Sequence, residues 1–235
     1  MPKCPRHPRR RAGFTLLELL IILVIIAILV TIAMPNLLSS KIETNETAAL
    51  ATLRQVVQSQ MMFANRKEAD LNQNGTGEYG TFGEMSGNVP VREASGGTRF
   101  LTPNVIQASF RAISPLGEMY RSGYYYRLYL PKAGGAGVIE LPGGGADAAV
   151  DPELAESIWC VYAWPQRFGV TGNRTFFVNQ HGDITFTENS AYSGPGAPIP
   201  AGAALSAGGP ASSIAGVVAV GEEGRDSNIW RISGK

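Results

Sequence analysis

Two stretches of this chain hold side chains whose chemistry stands out. The first is Glu18, the sole ionisable residue between Phe14 and Ser40. Its neighbours from Leu16 to Met34 are apolar apart from Thr31. A carboxylate in hydrocarbon costs about 2.5–3.5 kcal/mol or more, so it calls for a counter-ion. A cut on the leader side of the apolar run would supply one as a new α-amine, able to pair with Glu18 of its own chain or of a neighbour. The blander reading lets Glu18 reach the headgroup zone, with no further role. The second stretch is DLNQNGTGE, residues 70–78. Asp70, Asn72, Asn74, Thr76 and Glu78 place oxygen-bearing side chains at every second position, and Gly75 allows a sharp turn. Oxygens so spaced can converge on a hard cation, as in an EF-hand loop, which makes calcium a candidate ligand. The twelfth position is Thr81, where a bidentate Glu would belong, so such a site would be weak. The alternative is a polar turn leaving a helix.

Other chemistry is sparse. The sequence has no G-x-S-x-G, H-E-x-x-H, C-x-x-C or phosphate-binding glycine motif. His181 falls in the turn of an expected hairpin, and Glu222–Glu223 reads as a solvated pair. No catalytic set is visible, and the chain reads as no enzyme and as needing no cofactor beyond an optional calcium. Arginines beside aromatics in YRSGYYYRLY are too few to suggest nucleic acid; sheet packing accounts for them.

These residues need elements to place them. A helix from residue 16 to 34 is about 30 Å long, one bilayer core. Lys3, Arg6, Arg9, Arg10 and Arg11 precede it with no acid among them. Those charges would hold the N-terminus in the cytoplasm and send the rest outward. A secretory signal carries its small-residue cleavage site after the apolar core. Here Ala12–Gly13 comes before it, which suggests cleavage on the cytoplasmic side and retention of the oily helix. Beyond Pro35, Ile42, Ala49, Leu53, Val56, Val57, Gln60, Met61 and Ala64 recur on one side of a helix. One long helix over residues 14–66 follows, with a membrane half at 14–35, a local bend or melted turn at Pro35, and an amphipathic half behind it.

The Lys/Arg-rich leader, then Gly-Phe-Thr-Leu-Leu-Glu-Leu, then an apolar run reaching Pro35, resembles the precursors of type IV pilins and of type II secretion pseudopilins. The resemblance is carried by residues 9–60. It implies that a membrane prepilin peptidase cuts after Gly13 and N-methylates Phe14. It further implies that Glu18 meets a neighbouring subunit's terminus as the filament grows. The implied partners are other pilin-like subunits, the peptidase and an inner-membrane assembly platform. The implied location is the inner membrane, single-pass with a cytoplasmic N-terminus, and then a periplasmic or surface filament. No nucleic acid is expected. Pilus and secretion pseudopilus are not separable at this level. The rival reading is a monomeric, membrane-anchored protein with an outward calcium- or ligand-binding head.

The chain has 235 residues, 44% of them hydrophobic, and a net charge of +1. That suffices for one domain and an appendage, and implies no strongly charged partner. With the leader (residues 1–13) gone, Cys160 stands alone without Cys4, as a buried thiol among apolar residues. The fold class expected is α+β: the long helix packed on a small antiparallel sheet in a head spanning residues 67–192. A short helix is expected at 80–87, strands at 122–131 and 157–165, and a hairpin at 174–188, giving three to four strands. Residues 133–149 read as a loop. Residues 193–216, rich in Gly, Ala and Pro, read as a longer flexible one. The C-terminal segment, 217–235, holds a candidate strand at 217–220 and Trp230, expected to dock on the head.

Overall fold

The computed structural model describes residues 13–233. Residues 1–12, with the expected leader's basic residues and Cys4, lie outside the described residues, as do the last two positions. The described elements begin with one long helix, α1 (Leu16–Asn65). The chain divides into two compact units, one ending at Ser40 and the other beginning at Lys41.

In the first unit, the apolar residues from Leu16 to Val30 are all exposed. Among the described residues no side chain covers them. The helix is long and apolar enough to cross a membrane. It stays helical through Pro35, without the melted turn that a proline there suggests.

In the second unit α1 packs on a sheet. Ala49, Leu53, Val56 and Phe63 are fully buried, spaced by four, three and seven residues. Met61, expected on this face, is instead 55% exposed. The buried polar positions on the face have specific partners. Gln60 Nε2 donates to Gly80 O at 2.7 Å, and Gly80 N donates to Gln60 Oε1 at 2.9 Å. The amide thus closes a two-bond ring with the segment that crosses the helix. Gly80 is fixed by that approach: a Cβ there would stand 2.8 Å from the Phe63 ring. Ser59 Oγ donates to Val105 O, and Asn45 Nδ2 to Thr171 O.

The strands are β1 (Glu118–Arg121), β2 (Tyr124–Pro131), β3 (Gly137–Ile139), β4 (Cys160–Pro165), β5 (Thr175–Asn179), β6 (Thr185–Thr187) and β7 (Arg231–Ile232). Two one-turn helices lie among these elements, α2 (Phe82–Met85) and α3 (Pro152–Ala155). The sheet is antiparallel, in the order β1-β2-β4-β5-β6-β7, with β3 also on β2. Seven strands among the described residues exceed the three or four expected. The additions β1, β3 and β7 span four, three and two residues, too short to show an alternation. β3 also falls within the stretch read as a loop at 133–149. The expected strand at 217–220 is no strand: Val218 makes a single bridge to Leu205.

Side-chain alternation gives the sheet two buried faces. Tyr124, Tyr126, Leu128, Val161, Ala163, Phe176 and Val178 join the α1 residues in one core. Tyr129, Cys160, Tyr162, Trp164 and Phe177 form a second core on the opposite face. What covers that second face is the segment read as flexible. Ala201, Ala203, Ala204, Leu205, Ile214 and Ala219 are buried there with Trp230. The correction has a physical reason: the layer packs through backbone and methyl groups. A Cβ on Gly202, for instance, would stand 2.2 Å from Ser213 O. Arg225 pins the layer by donating to the carbonyls of Ser206, Pro210, Ser213 and Ala215 at 2.9–3.2 Å. Trp230 docks as expected, edge-on to Tyr162 and Phe177, with Nε1 donating to Asp226 Oδ1 at 3.2 Å.

Candidate functional site

The start of α1 gathers the residues singled out by the sequence. Thr15 sits where the helix begins, and its Oγ1 accepts from Glu18 N at 3.1 Å. Leu19 N donates to Thr15 O at 3.2 Å. Thr15 is therefore the N-cap, and T-L-L-E has capping-box spacing. That signal was present in the sequence and gives Glu18 a second, local reason for its place. A carboxylate in the first turn also faces the positive end of the helix dipole. Glu18 is exposed, and among the described residues no cation pairs with it. Phe14 is 71% exposed, and a Cβ built on Gly13 meets nothing within 4 Å. The Gly13–Phe14 peptide is thus open on its described side, and Glu18 follows one helical turn later. Pro35 stands inside α1, and Ser39 Oγ donates to its carbonyl at 3.1 Å.

The second candidate, residues 70–78, splits in the structure. Asp70, Asn72, Asn74 and Thr76 stay together on an exposed turn. Asp70 Oδ1 accepts from Asn74 N at 3.1 Å and its Oδ2 from Gly75 N at 3.0 Å. Asn74 Oδ1 accepts from Thr76 N at 2.7 Å. Glu78 instead turns inward. It is fully buried, accepting from Leu71 N at 2.6 Å and pairing with Arg92 Nε at 2.9 Å. Its place beside the turn is taken by Glu156, distant in sequence. Glu156 Oε1 accepts from the side-chain nitrogens of both Asn72 and Asn74 at 2.8 Å. No local pattern could have announced that residue; only the fold brings it there.

Sequence reasoning also missed the buried acids. Glu78 and Glu84 share Arg92, while Thr81 and Glu84 form the capping box that starts α2. Glu118 pairs with Arg127 beneath the second layer. Glu140 is buried: Oε1 accepts from Gly83 N at 3.1 Å, and Oε2 has no hydrogen-bond partner among the described residues. Burial above all pushes its carboxyl up to about 8, and nearby Glu84 adds to the effect. Cys160 is buried, as expected, and burial pushes its thiol well up. His181 is exposed at the hairpin turn.

Known proteins share both ends of this description. Residues 8–34 match the model described as "Prokaryotic N-terminal methylation motif". Residues 30–189 match the model of a family described as "Protein of unknown function (DUF2950)". The chain is 46% identical over 55 residues to the type IV wide pilus major component PilA4 of Thermus thermophilus. That similarity covers 23% of this chain and 42% of the relative. No solved structure matches the chain. With a methylation motif laid over the Gly13–Glu18 turn and a long helix packed on a small antiparallel sheet, the chain is type IV pilin-like and belongs to the DUF2950 family of proteins of unknown function.

Proposed function

We propose that this protein is a structural subunit of a type IV pilus-like filament. Cleavage after Gly13 releases Phe14, whose amine is methylated and becomes the counter-ion that Glu18 lacks. The observation that carries this reading is an apolar helix that, among the described residues, has no cover and is headed by one unpaired carboxylate. In hydrocarbon that carboxylate costs about 2.5–3.5 kcal/mol, and a neighbour's terminal amine relieves the cost only in the assembled state. Lateral packing of the Leu16–Val30 surfaces supplies the remaining adhesion. The inner membrane, a cytoplasmic leader, the prepilin peptidase and an assembly platform belong to this proposal. We expect Glu18→Ala to be trimmed and methylated normally, by mass spectrometry of the N-terminus, yet to leave sheared filament yield at least about tenfold lower. Wild-type yield from Glu18→Ala would refute the pairing. A trimmed wild-type chain that stays monomeric would favour the anchored-receptor alternative, and filaments that appear only with a secretion apparatus would favour the pseudopilus.

A second reading concerns calcium at the 70–76 turn. Glu156 supports it, because it adds a carboxylate to Asp70, and neither is in an ion pair among the described residues. Asp70, Asn72, Asn74 and Glu156 would hold the ion, while Glu78 belongs to Arg92. The expected result is a rise of a few degrees in Tm of the full chain in detergent with millimolar calcium, absent in Asp70→Ala and Glu156→Gln. Equal melting with calcium and with chelator would remove the metal.

A further inference from the structure

The exposed turn after α1 carries Asn74 followed by Gly75, the one Asn–Gly pair in the chain. In such a pair the glycine's backbone nitrogen can attack the carbon of the preceding side-chain amide. Both reacting atoms belong to adjacent residues, so no third element has to bring them together. Glycine leaves its nitrogen unshielded: a Cβ built on Gly75 would find only Lys67 Nζ, at 4.0 Å. With φ at +83°, Gly75 also holds a conformation that other residues adopt at a cost. Asn74, Gly75 and Thr76 are all exposed, so water reaches them.

Polar contacts fall on each atom that would react. Gly75 N, the nucleophile, donates to Asp70 Oδ2 at 3.0 Å. A carboxylate within reach of the proton to be removed is placed as a general base. Asn74 Oδ1, where negative charge would develop, accepts from Thr76 N at 2.7 Å. A backbone N–H so aimed stabilises an oxyanion. Asn74 Nδ2, the leaving nitrogen, donates to Glu156 Oε1 at 2.8 Å. That bond raises electron density on the nitrogen and readies it to take up a proton. Asp70 Oδ1 and Asn72 Oδ1 accept from Asn74 N at 3.1 and 3.2 Å and hold the residue in place. Any polar turn can hold one of these bonds. Here they meet on the nucleophile, the oxyanion and the leaving group of a single amide.

We propose that the folded protein deamidates itself at Asn74, through a succinimide closed with Gly75 and with Asp70 as the general base. The Gly75 N–H proton passes to Asp70 as the nitrogen bonds to the Asn74 side-chain carbon. Asp70 returns that proton through solvent water to Nδ2, the carbon–Nδ2 bond breaks, and ammonia leaves. Water then opens the imide at either carbonyl, giving aspartate or isoaspartate at position 74. The new carboxylate faces Glu156 where an amide donor stood, so that contact becomes repulsive. Filament assembly plays no part in this chemistry. The test follows the full chain in detergent over time at constant neutral pH, with chelator present so that bound cation has no bearing on it. Conversion at position 74 is read by peptide mapping with mass spectrometry, and isoaspartate by enzymatic methylation. The reference is a free peptide of residues 70–78. We expect conversion in the folded chain at least about tenfold faster than in the peptide. Asp70→Asn keeps an acceptor for the turn but removes the base, and should slow conversion at least about tenfold with Tm unchanged. Glu156→Gln should slow it about threefold to tenfold. The proposal is overturned if the folded chain converts no faster than the peptide, or if both variants convert at the wild-type rate.

Discussion

Glu140 shows how one buried group can set a pH dependence. Its carboxyl is raised from the ordinary 4.5 to about 8, first by burial. The folded state therefore holds a proton that the unfolded chain releases near its ordinary value. The stabilisation this gives is complete below about pH 4.5 and is lost as pH rises through about 8. Glu140→Gln keeps an acceptor for Gly83 N and removes the titration. The expected outcome is a wild-type Tm that falls by roughly 5–10 °C between pH 5 and 9 in excess of the variant's own change. Parallel melting curves for the two proteins across that range would contradict it. A second residue, Gln60, acts through geometry. Gln60→Ala would leave both Gly80 N–H and C=O without partners inside the packed unit. We expect a loss of about 2–4 kcal/mol, measured by denaturant unfolding of the full chain in detergent. A cost under about 0.5 kcal/mol would mean that water replaces the amide.

At the scale of elements, what the sequence disclosed tracks how periodic each element is. The amphipathic half of α1 was legible because Ala49, Leu53 and Val56 repeat with helical spacing, although Phe63, buried on the same face, was not picked out. So was the hairpin at 174–188, whose β-branched and aromatic arms became β5 and β6. Met61 was misplaced because its side chain is apolar while its position faces outward. Glu156 was invisible as a partner of Asn72 and Asn74, because only the turn after α3 carries it there. The layer at 193–230 was illegible for a compositional reason. Gly, Ala and Pro are the residues of loops, yet they also allow close backbone approach. Trp230 anchors that layer against Tyr162 and Phe177, so Trp230→Ala should cost about 3–5 kcal/mol. Faster proteolysis within residues 193–230 than elsewhere is the expected accompaniment, read by mass spectrometry of early fragments. Cleavage patterns unchanged from wild type would argue that Arg225 alone holds the layer.

On the scale of the whole molecule, the sheet is covered on both faces by unlike materials: a helix with large side chains on one, a glycine- and alanine-rich layer on the other. The family match ends at residue 189, just before that second layer begins. The match to the methylation motif concerns the start of the helix, and the DUF2950 match most of the packed unit. This division suits a filament subunit, in which one end serves adhesion between copies and the other presents a surface.

Cys160 lies sealed under the second layer, with its sulfur directed to Ala201 O at 3.7 Å. A thiol held neutral in this way is a poor nucleophile. If the proposed cleavage removes the leader and Cys4 with it, the trimmed protein is in effect blank to maleimides and to mild oxidants. A cysteine introduced on the outer side of the long helix would then report alone, by spin label or by dimer formation, and neighbouring subunits could be mapped without first stripping out the natural sulfur.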